Sequence, residues 1–367
     1  IVACFLDIKK CFDTINHQIL LKKLNFYGIK GKELEWFRSY LHNRKIIVSF
    51  KNAKSNPKLM TIGIPQGAVL GPLLFIIYAN DLSNFVNNNT LNQFADDALL
   101  YAAGKNLQEA QCKVQEGLNG VSNWYSGNDL GLNTTKTVGM VIRNRITEDD
   151  KITLKINNTI IKQVTDTAYL GTQMDETLSF KQHMIYLNRS VQPKLVALRK
   201  LKPILPNDTL IKVYKSTIEP VIDYTSTVWG SSGKHVVDKA QRLQNMACRI
   251  ITGNYDFRNT RGIDLVNKLE MQTFEQRLQY NYSVLMYKIL HGISPNYLSD
   301  LVVMEQDVHD YQLRGHELDI YLPKVNVEKY RQSLMYSGGQ VWNNLNNHLK
   351  NINTVNTFKR QYKAAYF

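Results

Sequence analysis

Cysteine is scarce in this chain. Its 367 residues hold four, Cys4, Cys11, Cys112 and Cys248, with no CxxC pair and no Cys/His cluster. That scatter argues against a zinc knuckle or a disulfide framework, and reduced thiols in an intracellular protein are the expectation. Long apolar runs are missing too. The most apolar stretch, Ala68–Ala79, is interrupted by Gly71 and Pro72 and is too short to cross a bilayer, so no membrane partner is expected. No internal repeat is visible. Acids are absent from Thr177–Asn207, a stretch that carries Lys181, Arg189, Lys194, Arg199, Lys200 and Lys202. The chain opens at Ile1 without Met and already in a strand-like run, so further residues are expected upstream.

What is present is apolar and basic. Hydrophobic residues make up 44%, which suits a globular chain of two or three domains. Net charge is +14, unevenly spread: 20 basic against 16 acidic residues up to position 180, then 25 against 15. An excess of this kind favours a polyanion such as nucleic acid, with plain solubility charge as the alternative.

Local patterns place the elements. Ile1–Leu6 reads as a strand ending at Asp7. Asp13 or Thr14 can cap a helix bearing Ile15, Ile19, Leu20 and Leu24, stopped at Gly28. Asp13 also has a second reading, as a residue beside a site at Asp7. Another helix is expected over Lys32–Leu41, then paired strands Ile46–Phe50 and Leu59–Ile64. Gly71-Pro72 opens an apolar helix through Leu82. Asn92–Ala95 and Ala98–Tyr101 read as strands meeting at Asp96-Asp97, followed by an amphipathic helix Leu107–Trp124. Val138–Ile142 is a strand, and Ile152–Ile156 with Thr159–Val164 a hairpin around Asn157-Asn158. From about residue 180 the pattern is helical: Phe180–Lys202, kinked or divided at Pro193, then Asn207–Tyr224, Lys234–Thr252 and Phe274–His291. Tyr311–Phe367 is mixed.

Three segments belong together: FLDIKKCFD (Phe5–Asp13), GIPQGAVLGPLLFIIYANDL (Gly63–Leu82) and FADD (Phe94–Asp97). Each acid follows an apolar strand run. In this order and spacing the segments resemble the motifs of reverse transcriptases. They are most similar to those of non-LTR, LINE-type retrotransposons. Gln241–Ile251 and His316–Asn344 resemble the C-terminal region of jockey- and CR1-like elements.

The resemblance implies an α+β fold: a right-hand polymerase palm, with a split βαβ-like sheet and helices on one face, then a mostly α-helical thumb and C-terminal region. The palm would span 1–175 without its fingers, the thumb 176–255, and a C-terminal helical region of undefined role 256–367. It implies an RNA-directed DNA polymerase, a nucleotidyltransferase using two Mg2+ ions, or Mn2+, with an RNA template, a DNA primer or target DNA, and dNTP. Asp7, Asp96, Asp97 and the Ile8 carbonyl would be the catalytic and metal-binding groups. Phe12, Gln66, Gly67 and Lys136 would bind the nucleotide, with Phe12 excluding a ribose 2′-hydroxyl. Cys11 stands where the family usually has alanine. Tyr169, Leu170 and Gly171 resemble the primer grip. Lys181, Arg189, Lys194, Arg199 and Lys200 would follow the nucleic-acid backbone. Entry to the nucleus is expected at integration. Without fingers to clamp the triphosphate, little or no activity is expected of this fragment. Two rival readings remain: a decayed or co-opted remnant that only binds nucleic acid, and another lineage such as a group II intron maturase.

Overall fold

The computed structural model describes residues 1–87, 89–308 and 318–367. Tyr311–Glu317 of the mixed C-terminal stretch, and with them the start of the His316–Asn344 segment, lie outside the described residues. The chain mixes helix and sheet and divides into two compact units, Ile1–Gly171 and Thr172–Phe367.

The first unit is built on a five-stranded sheet in the order Lys162–Gln163, Val138–Val141, Val2–Leu6, Asp97–Ala102, Thr90–Phe94. Only the first pairing is parallel. Val2–Leu6 is buried at all five positions, as an apolar run in mid-sheet should be. Its alternation still matters. Val2, Cys4 and Leu6 join Leu100, Ala102 and Val141 in the main core. The helix Leu107–Gly127 lies against these strands and adds Val114, Leu118, Val121 and Trp124 at helical spacing. The helices His17–Phe26 and Gly71–Ala79 pack together, and Lys23 ties them down. Its ammonium donates to the Tyr78 carbonyl at 2.6 Å and to Asp81 at 2.7 Å, and Trp124 Nε1 donates to the same carboxylate at 3.1 Å.

Several local expectations give way to tertiary geometry. The first helix starts at His17, and its cap is Asn16, whose side chain accepts from the Gln18 and Ile19 N–H groups. Asp13 is instead held in a turn closed by its N–H on the Lys10 carbonyl. The expected pair Ile46–Phe50 and Leu59–Ile64 is broken into two short rungs, Lys45–Ile46 with Lys58–Leu59 and Ser49–Phe50 with Ala53–Lys54. The Gly71 helix ends at Ala79, and a 3-10 turn covers Leu82–Phe85. The Asn157-Asn158 hairpin forms, with φ of 46° and 66° at its two turn residues, the left-handed pair that a tight hairpin requires.

In the second unit Lys181–Leu201 is one helix, neither divided nor ended at Pro193. Pro193 lies on its exposed side, where water can take the carbonyl that the missing N–H leaves free. His183, Met184, Leu187, Val191, Leu195 and Leu198 form the buried stripe. They pack with Lys234–Thr252 and Phe274–Leu290 around Trp229, which stacks on Phe274 at 5.3 Å. A second cluster gathers Tyr287, Trp342 and Phe358. The expected helix Asn207–Tyr224 is two, Asn207–Thr217 and Glu219–Asp223.

Candidate active site

Strand register sets the acids. Leu6 pairs with Ala98 in the antiparallel ladder of Val2–Leu6 with Asp97–Ala102. Asp7 follows Leu6 and Asp97 precedes Ala98, so both acids lie at that end of the ladder. Asp96 sits beside them in the two-residue turn between Phe94 and Asp97, which Ala95 enters at φ 51°. Sequence positions 89 apart are thus neighbours.

Electrostatics report the same proximity. Partial burial pushes the Asp97 carboxyl up from its ordinary value, and the charges of Asp96 and Asp7 push it further. Among the described residues no Lys or Arg forms an ion pair with these three acids. The Cys11 thiol donates to Asp96 Oδ2 at 3.4 Å; burial and then Asp96 raise its pKa to about 12. Among the described residues no three His, Cys, Asp or Glu side chains are drawn together closely enough to hold a metal ion. The donor chemistry nevertheless suits one: crowded, uncompensated carboxylate oxygens are the ligands hard divalent cations take.

The main chain after Asp7 is stapled to the loop carrying Lys136. Asn133 N–H donates to the Asp7 carbonyl and Lys9 N–H to the Gly131 carbonyl, both at 2.8 Å. These bonds flank the Ile8–Leu132 bridge, so Ile8's own carbonyl points away from the loop. Thr137 adds a contact that sequence reading missed: its Oγ1 accepts from the Asp7 N–H at 3.2 Å. The only hint was its place directly after Lys136. Lys136 itself is exposed.

Phe12 packs on Phe75 with ring centroids 5.2 Å apart. It lines a cavity of about 610 Å³ with Ile8, Lys10, Cys11, Pro65, Gln66, Gly67 and Asp96, within the ordinary size range of ligand pockets. The Gly63–Gly67 segment is bolted to this wall: Ile64 N–H donates to the Phe12 carbonyl and Gly63 N–H to that of Ile15. Gly63 (φ 83°) approaches Asp13 so closely that a Cβ would lie 2.7 Å from the Asp13 carbonyl oxygen. Gln66 Nε2 donates to Asp13 Oδ1 at 2.9 Å. Asp13, read first as a helix cap and second as a residue beside the site, therefore stands beside the pocket.

Tyr169 packs edge-on against Phe5 at 5.7 Å. Phe5 lies two residues before Asp7 on the same strand face. Burial and then Asp97 raise the Tyr169 hydroxyl's pKa. Leu170 and Gly171 follow with φ of 46° and 76°, a tight turn at the end of the unit.

The structure brings together Asp7, Ile8, Phe12, Gln66, Gly67, Asp96, Asp97 and Tyr169. The basic residues belong to the second unit. There Lys181, Arg189, Arg199 and Lys200 are exposed along one helix and Lys194 is half-buried. Lys202 is engaged elsewhere, donating to the Ile251 carbonyl at 2.5 Å and to Asn207 at 2.6 Å.

Residues 1–174 match the family described as "Reverse transcriptase (RNA-dependent DNA polymerase)". Relatives that the chain matches include RNA-directed DNA polymerases of non-LTR retrotransposons. It is 28% identical over 297 residues to the probable RNA-directed DNA polymerase from transposon BS of Drosophila melanogaster, covering 77% of this chain and 32% of that one. It is 27% identical over 272 residues to the RNA-directed DNA polymerase from mobile element jockey of Drosophila funebris, covering 71% and 29%. The chain thus spans about a third of the length of these relatives. Among solved structures it is similar to telomerase from Candida albicans in complex with a fragment of telomeric RNA (12% identity, TM-score 0.37, 74% of this chain and 51% of that one).

Proposed function

We propose that this chain is the palm and thumb of an RNA-directed DNA polymerase of a non-LTR retrotransposon, joining dNTP to a primer 3′-hydroxyl on an RNA template. The observation that carries the reading is the register. Leu6 paired with Ala98 puts Asp7 and Asp97 at one end of the ladder, with Asp96 at the turn, and among the described residues no Lys or Arg forms an ion pair with them. Nearby like charges disfavour one another, so the arrangement suits a bound cation. Asp7, Asp96 and the Ile8 carbonyl would hold two Mg2+ ions, with Asp97 beside them; Mn2+ has the same ligand preferences. Bound there, the ions supply Lewis-acid activation of the hydroxyl and neutralise the triphosphate.

The chain's own groups position the rest. Phe12, backed by Phe75, forms a rigid floor that leaves no room for a ribose 2′-hydroxyl. Gln66 exchanges Asp13 for the nucleotide or template, and positive φ at Gly67 keeps the backbone clear of it. Lys136 neutralises the departing pyrophosphate. The Tyr169–Gly171 turn, seated on Phe5, holds the primer end near Asp97. Lys181, Arg189, Lys194, Arg199 and Lys200 neutralise backbone phosphates of the hybrid duplex.

Asp7→Asn and Asp96→Asn test the reading. Assayed in a longer polymerase chain that includes this segment, RNA-templated primer extension should fall at least about 10²-fold in each. Mn2+ binding, followed by electron paramagnetic resonance, should weaken in both while circular dichroism stays unchanged. Undiminished extension or Mn2+ binding in either variant overturns the assignment. Duplex binding indifferent to divalent ions would favour a purely nucleic-acid-binding protein.

A further inference from the structure

A cavity of about 870 Å³ opens within the second unit, among Gly230-Ser231, the helix Phe274–Leu290 and the helix Leu334–Asn343. Much of its wall belongs to the His316–Asn344 segment, a motif to which the polymerase chemistry gives no task. Leu278, Val237, Val341 and Leu322 supply apolar surface. The polar part is rich in side-chain amides: Gln279, Gln332, Gln340, Asn343 and Asn344.

Only some of those amides are committed. Asn343 is used up, bonding both the N–H and the carbonyl of Ile320. Among the described residues the side chains of Gln279, Gln340 and Asn344 make no hydrogen bond within the protein, and all three are exposed. Deeper in, two buried oxygens lack partners: Tyr282 Oη and Gln332 Oε1. Ser231 lies beside Tyr282 and donates its hydroxyl to the Gln332 carbonyl at 2.5 Å. Buried polar atoms without partners are uncommon and cost stability. Two at one cavity point to a ligand that supplies both donors and acceptors.

The charges narrow the ligand. Glu275 and Glu328 face a single Arg331, which rules out a phosphate cradle. Yet residues 181–367 carry 25 basic against 15 acidic residues, an excess that gathers polyanions. The part of a polyanion that can enter an amide-lined, cation-poor cavity is a neutral heterocycle with donor and acceptor edges. Amides read such edges in a bidentate way, and the Tyr336 ring at the rim offers a stacking face. In a duplex those edges are already paired.

We infer that this cavity takes an unpaired nucleobase of RNA, held through its hydrogen-bonding edge by Gln340, Asn344 and Tyr282 and stacked on Tyr336. The inference rests on the polymerase reading only in taking RNA as the nucleic acid. It adds to the chain a site for single-stranded RNA outside the carboxylate pocket.

The test uses the whole chain and fluorescence anisotropy with short homopolymeric RNAs and an RNA–DNA duplex. The double variant Gln340→Ala/Asn344→Ala should lose about fivefold or more in affinity for at least one homopolymer, with duplex affinity within about twofold. Its melting temperature should hold, since both side chains are exposed and unbonded. Tyr282→Phe separates an occupied pocket from an idle one. In an idle cavity, removing the stranded hydroxyl raises the melting temperature and leaves RNA binding alone; in the proposed site it weakens RNA binding. Retained duplex binding with no effect of either variant on single strands overturns this site and leaves the polymerase reading intact. Failure of the wild-type chain to bind duplex counts against the polymerase reading instead.

Discussion

Each unit contains a knot of acids, and the two are handled in opposite ways. In the second, Glu219 and Asp223 close around Arg277. The guanidinium Nε donates to Asp223 at 2.8 Å, Nη1 lies 3.8 Å from Glu219, and Nη1 also donates to the Gln272 carbonyl at 2.9 Å. Burial pushes both carboxyls up, and Arg277 opposes it. In the first, Asp7, Asp96 and Asp97 lie near one another, and among the described residues no Lys or Arg forms an ion pair with them. An acid knot closed by its own cation ties helices together. One left open, at the lip of a cavity, is poised to take charge from outside.

Three measurements bear on that contrast. The largest effect belongs to the closed knot. Arg277→Met strands two acids in the core and should cost about 3–5 kcal/mol, read as a drop in the urea midpoint. A loss below about 1 kcal/mol would mean that Arg277 is not the keystone of its cluster.

The second effect concerns pH. Burial beside Trp229 lowers the His183 pKa to about 4 from 6.5. The imidazole stays neutral in the fold while the unfolded chain takes up the proton. Its contribution is complete above about pH 6.5 and is lost as pH falls toward 4, up to about 3 kcal/mol. The second unit's urea midpoint should fall over that window and flatten in His183→Gln. A wild-type midpoint that does not change between those limits contradicts the burial.

The smallest effect has the opposite sign. The Asp97 pKa is raised in the fold, so its contribution favours the folded state at low pH and turns against it as pH rises through that value. Asp97→Asn should therefore raise the melting temperature modestly at neutral pH without divalent ions. The gain should vanish near pH 3, and added Mg2+ should narrow the gap. A variant less stable than wild type at neutral pH would erase the distinction between open and closed knots.

Most of the site is legible in one dimension because its determinants are local. An apolar run ending in Asp7, a second ending in Asp96-Asp97, and a Gly-Pro helix start each need only their neighbours to form. The triplet Tyr169–Gly171 stands out by order rather than by content, and its ring sits on Phe5. What escaped the reading is non-local. Asp13, Thr14 and Asn16 compete for one cap within four positions, and the winner depends on Gly63 pressing against the Asp13 carbonyl from fifty residues away. Lys202 reads as one more cation of the acid-free stretch, and it closes the end of Lys234–Thr252 through the Ile251 carbonyl. Pro193 promises a break that its exposed position removes.

The chain alone carries the likeness to reverse transcriptases, the strand-borne acids and the basic surplus of its second half, since periodicity, turn residues and motif order are written in consecutive positions. Which of those acids lie near one another, which cations are already spent and which amides are left with empty hands follow from the folded molecule. Register and burial are relations between segments far apart in the chain, and no window of sequence contains both partners.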